Sequence, residues 1–328
     1  MVTFLPTTAG RLADVPAFER AIGGAESNVA CMLAAAGHTA KWVSRVGADG
    51  FGDHLLAAIG AFGVDTTAVR RDPARPTGIY FRTAGDRATD AHEVAYYRAG
   101  SAASAMSTAN TDRAALRSGR LLHLSGITAA LSAGCLDLMR SLTDAATGAD
   151  GVSFDVNHRP GLWRDPADAR VLLDLARGAD LVFVGEDEAA DAWGITGGPD
   201  AIRAALPEPQ LLVVKRGADG AIAYDSRGRR HEEPAPRVDV VAAVGAGDAF
   251  AAGFLSATLR GLPVGQRLRH GHLMAAAALT VPGDLAVPAA RDRADRLAAL
   301  DDDAWGTLHL GPGWTRATAA VDQEVGTP

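Results

Sequence analysis

The segment Ala243-Val244-Gly245-Ala246-Gly247-Asp248-Ala249-Phe250 holds the residues best placed for chemistry. Two glycines flank an alanine just ahead of an apolar, helix-forming run. Side chains this small let backbone N–H groups approach an anion, and a helix start adds unpaired donors and a positive dipole end. Such a cradle suits a phosphoryl group in transfer, which gathers charge on its equatorial oxygens. Asp248 at the same helix start can accept the proton of an attacking hydroxyl. By themselves, these four residues also describe an ordinary Asp cap on a glycine-rich turn.

A second set of residues could hold a polyol. Gly23-Gly24 precedes Ala25-Glu26-Ser27-Asn28 and leaves bare backbone at another helix start. Asn28 offers hydroxyls one acceptor and two donor hydrogens, though it could also serve as a buried helix residue. Three of the four tyrosines, Tyr80, Tyr96 and Tyr97, fall in two short extended segments, and Arg98 follows directly. Alternation places Tyr96 and Arg98 on one face and Tyr97 on the other. An aromatic hydroxyl beside a guanidinium suits a hydroxylated carboxylate, because arginine binds carboxylates bidentately. An exposed cross-strand pair or a dimer stripe has the same pattern.

The elements that must position these groups alternate in type. Helical patterns cover 27–36, 51–62, 132–146, 167–176, 249–260 and 266–281, and another begins at 186–193. Extended patterns cover 41–46, 121–124, 152–155, 181–184, 211–215, 221–224 and 238–241. Repeated strand–helix units predict an α/β fold with a mostly parallel sheet covered on both faces. The strands at 77–82 and 93–98, joined by a turn at Gly85 and Asp86, break that rhythm and read as a small flap.

Five segments in order resemble the ribokinase-like sugar kinases of the phosphofructokinase B type. They are Gly23-Gly24-Ala25-Glu26-Ser27-Asn28, the Gly47-Ala48-Asp49-Gly50-Phe51-Gly52 turn, Asp155-Val156-Asn157-His158-Arg159, Lys215-Arg216-Gly217-Ala218-Asp219-Gly220, and Gly245 to Asp248. The Tyr80, Tyr96–Ser104 and Asp155–Pro160 segments are similar to the 2-keto-3-deoxygluconate kinase branch. The resemblance implies a three-layer sandwich with a β lid from about 1–20 and 77–98, in a kinase domain over 1–300. It implies ATP-dependent phosphorylation of a keto-deoxy sugar acid at its terminal hydroxyl. Asp248 would be the base and Gly245, Ala246 and Gly247 the anion hole. Gly24, Asn28, Tyr80, Tyr96, Arg98, Ile127, Arg159 and Asp284 would line the substrate pocket. Asn157, Lys215, Gly217, Gly220 and Gly245 would lie along the nucleotide. Magnesium is implied too, with Glu188 an indirect contributor, since Gly185 stands where the family often has Asn. A homodimer through the lid is implied as well.

The chain departs from the family in two places. Ala242 and Ala243 replace an Asp-Thr pair that helps build the anion site and a monovalent-cation site, so loss of the monovalent-cation response is expected. The apolar strand that usually precedes the segment resembling 1–6 is absent, which leaves its sheet neighbours unpaired. A start assigned too late is one expectation from this and truncation the other. Kinases of fructose, ribose or a deoxy-inositol-derived acid remain alternatives, as does a weakly active regulatory protein that binds nucleotide or sugar acid.

Composition narrows the classes. Apolar residues make up 48% of the 328, enough for a sizeable core, and the net charge of −7 argues against a general nucleic-acid binder. Cys31 and Cys135 have no partner at metal-ligand spacing. No run is apolar and long enough to span a membrane, and no secretory signal opens the chain, so a cytoplasmic protein is expected. Beyond residue 301 the pattern weakens. Asp301-Asp302-Asp303 reads as a helix start or solvated turn, and a partly disordered extension is expected over 301–328.

Overall fold

In the computed structural model the described residues are 1–83, 93–144 and 151–316. The chain opens with β1 (Val2–Pro6) and β2 (Phe18–Ile22), then β3 (Arg45–Gly47) and β4 (Arg70–Asp72). It continues with β5 (Ile79–Arg82), β6 (Val94–Tyr97), β7 (Leu122–Ser125), β8 (Val152–Asp155) and β9 (Leu181–Gly185). β10 (Leu211–Lys215), β11 (Ala221–Tyr224) and β12 (Arg230–Glu233) follow. The main sheet has the order β12-β11-β10-β9-β8-β7. β7 to β10 run parallel, and the β10–β11–β12 end is antiparallel.

Strands buried on both faces explain the apolar runs. In β9 and β10 the side chains alternate between two cores. Val182, Val184, Leu212 and Val214 meet Leu142, Leu172 and Ile202 on one face. Leu181, Phe183, Leu211 and Val213 meet Val29, Phe250 and Phe254 on the other. Helices on both sides of one sheet make the three layers. Because β8, β9 and β10 are parallel and in register, Asp155, Gly185 and Lys215 end at one edge. Open α/β sheets bind ligands outside the carboxyl ends of their strands.

The lid is a separate four-stranded sheet, β2-β1-β5-β6. Residues 84–92, with the turn expected at Gly85 and Asp86, lie outside the described residues. Asp49 ties the lid to the body. It caps the Gly50–Ala61 helix by accepting from the Gly52 N–H at 2.8 Å, and it accepts from the Thr77 N–H at 2.8 Å.

Several elements differ from the sequence reading. The extended pattern at 41–46 yields only a bridge at Lys41 and the short strand β3. β3 pairs with β4 in a two-stranded sheet of its own. Among the described residues β7 takes no strand on its outer edge. A cavity of about 1730 Å³ runs along that edge, lined by Trp42 and Val46 on one side and Leu122 and Leu124 on the other. The pattern at 167–176 splits into a 3-10 turn (Pro166–Arg170) and a helix (Val171–Arg177), because Pro166 sets the first turn.

Residues 301–316 pack on the body. Asp301 caps a short helix, Trp305 is 1% exposed, and its indole N–H donates to the Pro234 carbonyl at 2.9 Å. The Arg269 guanidinium lies 5.0 Å from the Trp305 ring centre. Residues 317–328, where disorder was expected, lie outside the described residues.

Candidate active site

The cavity passes between lid and sheet edge and brings both sets of residues to one wall. The Ala246–Leu259 helix starts from Gly245, whose φ of 78° lies in the left-handed region. A side chain there would also strike the Asp284 carbonyl at 2.3 Å, so only glycine fits. Gly245 offers no side-chain cap, so the first-turn N–H groups stay open to the cavity. At Gly247 an added methyl would meet only the Lys215 ammonium, at 3.8 Å. That space is open.

Asp248 stands in the first turn of this helix. The Asn28 amide donates to its Oδ2 at 2.8 Å, and the Asn157 amide lies 3.4 Å from Oδ1. Asn157 reaches it from a left-handed backbone, φ 44°. The carboxyl keeps some surface toward the cavity but sits deep in the protein. Burial is the main cause that lifts its pKa to about 7, and the nearby Asp155 and Asp284 add to the rise against the pull of Asn28 and Arg159.

At the edge of the sheet, the Lys215 ammonium donates to both Asp155 oxygens, at 2.9 and 3.3 Å. Burial opposes that charge, but Asp155 and Glu188 outweigh it and raise the lysine pKa. Glu188 accepts from the Gly185 N–H at 2.7 Å and pairs with Arg159 at 3.4 Å. Its oxygens are therefore occupied. Among the described residues no group of three or more His, Cys, Asp or Glu could hold a metal ion. The described side chains thus do not form a magnesium cage by themselves.

On the lid side, β5 and β6 set Tyr80 opposite Tyr96, with ring centres 5.5 Å apart. The Arg98 guanidinium sits 5.7 Å from the Tyr96 ring centre. Tyr97 points the other way, is 65% exposed, and packs edge-on against Phe81. The Tyr80 hydroxyl donates to Asp284 at 2.7 Å. Gly24, Asn28, Tyr80, Tyr96, Arg98, Ile127, Arg159 and Asp284 all line the one cavity, together with Asn157, Lys215, Gly217, Gly245, Ala246, Gly247 and Asp248. Gly220 does not. Its φ of 106° and the Glu233 carbonyl, 2.3 Å from any added side chain, make it a requirement of the β10–β11 hairpin turn where the end of β12 passes.

Sequence reading missed Arg82 and Asp155 as wall residues. Arg82 was detectable as the residue two beyond Tyr80 on the same strand face. Asp155 was marked only as the first residue of the Asp155–Arg159 motif, and its role depends on Lys215, sixty residues away.

The pfkB family carbohydrate kinase profile matches residues 1–290. The chain belongs to the PfkB family of carbohydrate kinases. This kinase is 35% identical to the 2-dehydro-3-deoxygluconokinase of Bacillus subtilis (strain 168), over 87% of its own length and 89% of the relative's. It is 33% identical to the Thermoproteus tenax enzyme of the same name, over 89% and 90%. A crystal structure of a PfkB protein from Polaromonas sp. JS666 superposes with a TM-score of 0.78 at 36% identity, covering 92% of this chain and 97% of that one. A putative ribokinase II from E. coli, in complex with ATP and Mg2+, shares the fold at 23% identity, a TM-score of 0.78, and 90% and 95% coverage. The kinase therefore has the ribokinase-like fold, and no helix among its described residues is long and apolar enough to cross a membrane.

Proposed function

We propose that this sugar kinase transfers the terminal phosphoryl group of ATP to the terminal hydroxyl of a keto-deoxy sugar acid, with 2-keto-3-deoxygluconate as the leading substrate. One observation carries the choice of an acid. Arg98 is half-buried, lies over Tyr96 and faces the cavity, and among the described residues no carboxylate forms an ion pair with it, Glu26 acting on it only through space. A guanidinium held this way favours a carboxylate ligand. Arg159 stands on the same wall, its charge shared with Glu188. The names of the two relatives support the same reading.

In this reading Asp248 accepts the hydroxyl proton as the substrate oxygen bonds to the terminal phosphorus. The bond from that phosphorus to the bridging oxygen breaks, and ADP leaves. Gly245, Ala246 and Gly247 present backbone N–H groups to the phosphoryl oxygens, where charge develops. Asn28 orients Asp248, and Lys215 and Gly217 lie toward the nucleotide. Magnesium would enter with ATP and supply neutralisation of the phosphate charge, with Glu188 an indirect contributor. The exposed ring of Tyr97 on the outer lid face suits a homodimer through the lid.

The test is turnover of ATP against a panel of sugar acids and neutral sugars. Rapid turnover of a keto-deoxy acid is expected, with a loss of about 10²–10⁴-fold in Asp248→Asn. Arg98→Ala should raise KM for the acid about tenfold or more while sparing a neutral sugar. Equal effects on both, or turnover of fructose or ribose alone, would remove the acid from the proposal.

A further inference from the structure

β5 carries two buried side chains on its cavity face, Tyr80 at 6% and Arg82 at 3% exposure, with Ile79 and Phe81 on the opposite face. Both inward residues reach the same partner. The Tyr80 hydroxyl donates to Asp284 Oδ2 at 2.7 Å, and the Arg82 guanidinium donates to Oδ1 at 3.2 Å. The same guanidinium nitrogen donates to the Pro282 carbonyl at 3.3 Å. One residue of the lid therefore grips both side chain and backbone of the 282–284 loop.

That loop also touches the phosphate end. The Asp284 carbonyl fills the space beside Gly245 that a side chain would need, and Asp284 Oδ2 lies 2.7 Å from where a side chain on Gly23 would begin. Asp284 thus stands between the two glycine turns that open the site. It is an acidic group 6% exposed, in a cavity read here as binding a carboxylate. An uncompensated Asp284 would repel that ligand, and a free side chain would turn away from it. The Arg82 charge answers the first problem, and its one bond to Oδ1, opposite the Tyr80 bond to Oδ2, answers the second.

From this geometry we infer that Arg82 is a positioning residue for the sugar substrate. It acts through Asp284, holding that carboxylate compensated and oriented while joining lid strand β5 to the loop behind the anion turn. The inference rests on the sugar-acid reading for its charge argument. The positioning itself applies to any sugar bound against Asp284.

Steady-state kinetics on the full chain test it, with KM for sugar and for ATP measured separately. Arg82→Met is expected to raise the sugar KM about tenfold or more and to leave the ATP KM within about twofold. Arg82→Lys, which restores the charge, should recover part of the loss. A role in stability alone would lower the active fraction, and with it apparent kcat, without moving either KM. The double variant Arg82→Met with Asp284→Asn carries no buried unpaired charge and serves where the single variant fails to fold. Its rise in sugar KM should fall well short of the two single-variant effects combined, because Arg82 acts mainly through Asp284 and its bond to the Pro282 carbonyl adds little. A wild-type sugar KM in Arg82→Met, equal rises in both KM values, or additive penalties in the double variant would overturn the inference. If the wild type phosphorylates only neutral sugars, the acid reading falls on that result, and the same comparisons with the neutral sugar still judge Arg82.

Discussion

Asp248 has a reference pKa of 3.8, and its surroundings lift it to about 7. The proposed base must be unprotonated to accept a proton, so kcat/KM should climb with pH along an acid limb whose midpoint lies near 7. Asp248→Asn should remove that limb along with most of the rate. A pH–rate profile on the wild type checks the first point, and a limb centred near 4 would contradict it. The same shift affects stability. Its pKa is raised, so the folded chain holds the proton more tightly than the unfolded chain does. Stability is then lost as pH rises from the ordinary carboxylate range through about 7. Asp248→Asn escapes this loss, so its melting temperature should exceed the wild type's at pH 8 and approach it at pH 4. The residue itself was legible from its glycine neighbours and from the helix that follows. Its partners were not, since Asn28 lies 220 positions away in sequence and Asn157 lies 91.

The first turn of the Ala246–Leu259 helix separates two uses of glycine. Gly245 is required by its left-handed backbone and by the Asp284 carbonyl. Gly247 is required by neither. It has no positive φ, and an added methyl would meet nothing but the Lys215 ammonium at 3.8 Å. Within a helix, Gly→Ala usually stabilises by about 0.5–1 kcal/mol. Gly247→Ala should therefore melt at or slightly above the wild-type temperature. Its kcat should nevertheless fall by about 10²-fold or more, because the methyl would occupy space in the proposed anion hole. Thermal unfolding paired with kinetics checks this, and full activity would mean that the phosphoryl group does not lie there. Spacing revealed the helix and its start. Which glycine serves the backbone and which leaves room for a ligand depends on neighbours from the 282–284 loop and β10.

The whole molecule is arranged around one cavity between the lid and the carboxyl edge of the main sheet. That cavity continues past the ligand walls, along the outer edge of β7 and toward the Lys41–Val46 segment. Val29 and Leu33 line it from one face of the sheet and Leu138, Met139 and Leu142 from the other. Apolar walls on both faces, beside a strand edge that pairs with no strand among the described residues, suit one further buried strand. Met1 also lines the cavity. A free peptide of about five Val/Ile/Leu-rich residues, added in excess, should therefore stabilise the protein. A rise of several degrees in melting temperature is expected, since about 1 kcal/mol moves Tm by roughly 2–4 °C in a large domain. An unchanged or lower melting temperature would show that the slot does not take a strand.

The sequence by itself determined the alternation of strands and helices, the glycine-marked helix start with Asp248, and the order of motifs that marks a PfkB kinase. Those features are local, set by period, by backbone freedom at glycine and by the chemistry of neighbours in the chain. Only the tertiary structure decided that Asp248 takes its amide partners, Asn28 and Asn157, from two distant segments, and that Lys215 pairs with Asp155 and Glu188. It also decided that Gly220 belongs to a hairpin rather than to the cavity wall, and that Arg82 and Tyr80 divide one carboxylate between them. Each of these depends on contacts between segments far apart in the chain, and a one-dimensional pattern carries no record of such contacts.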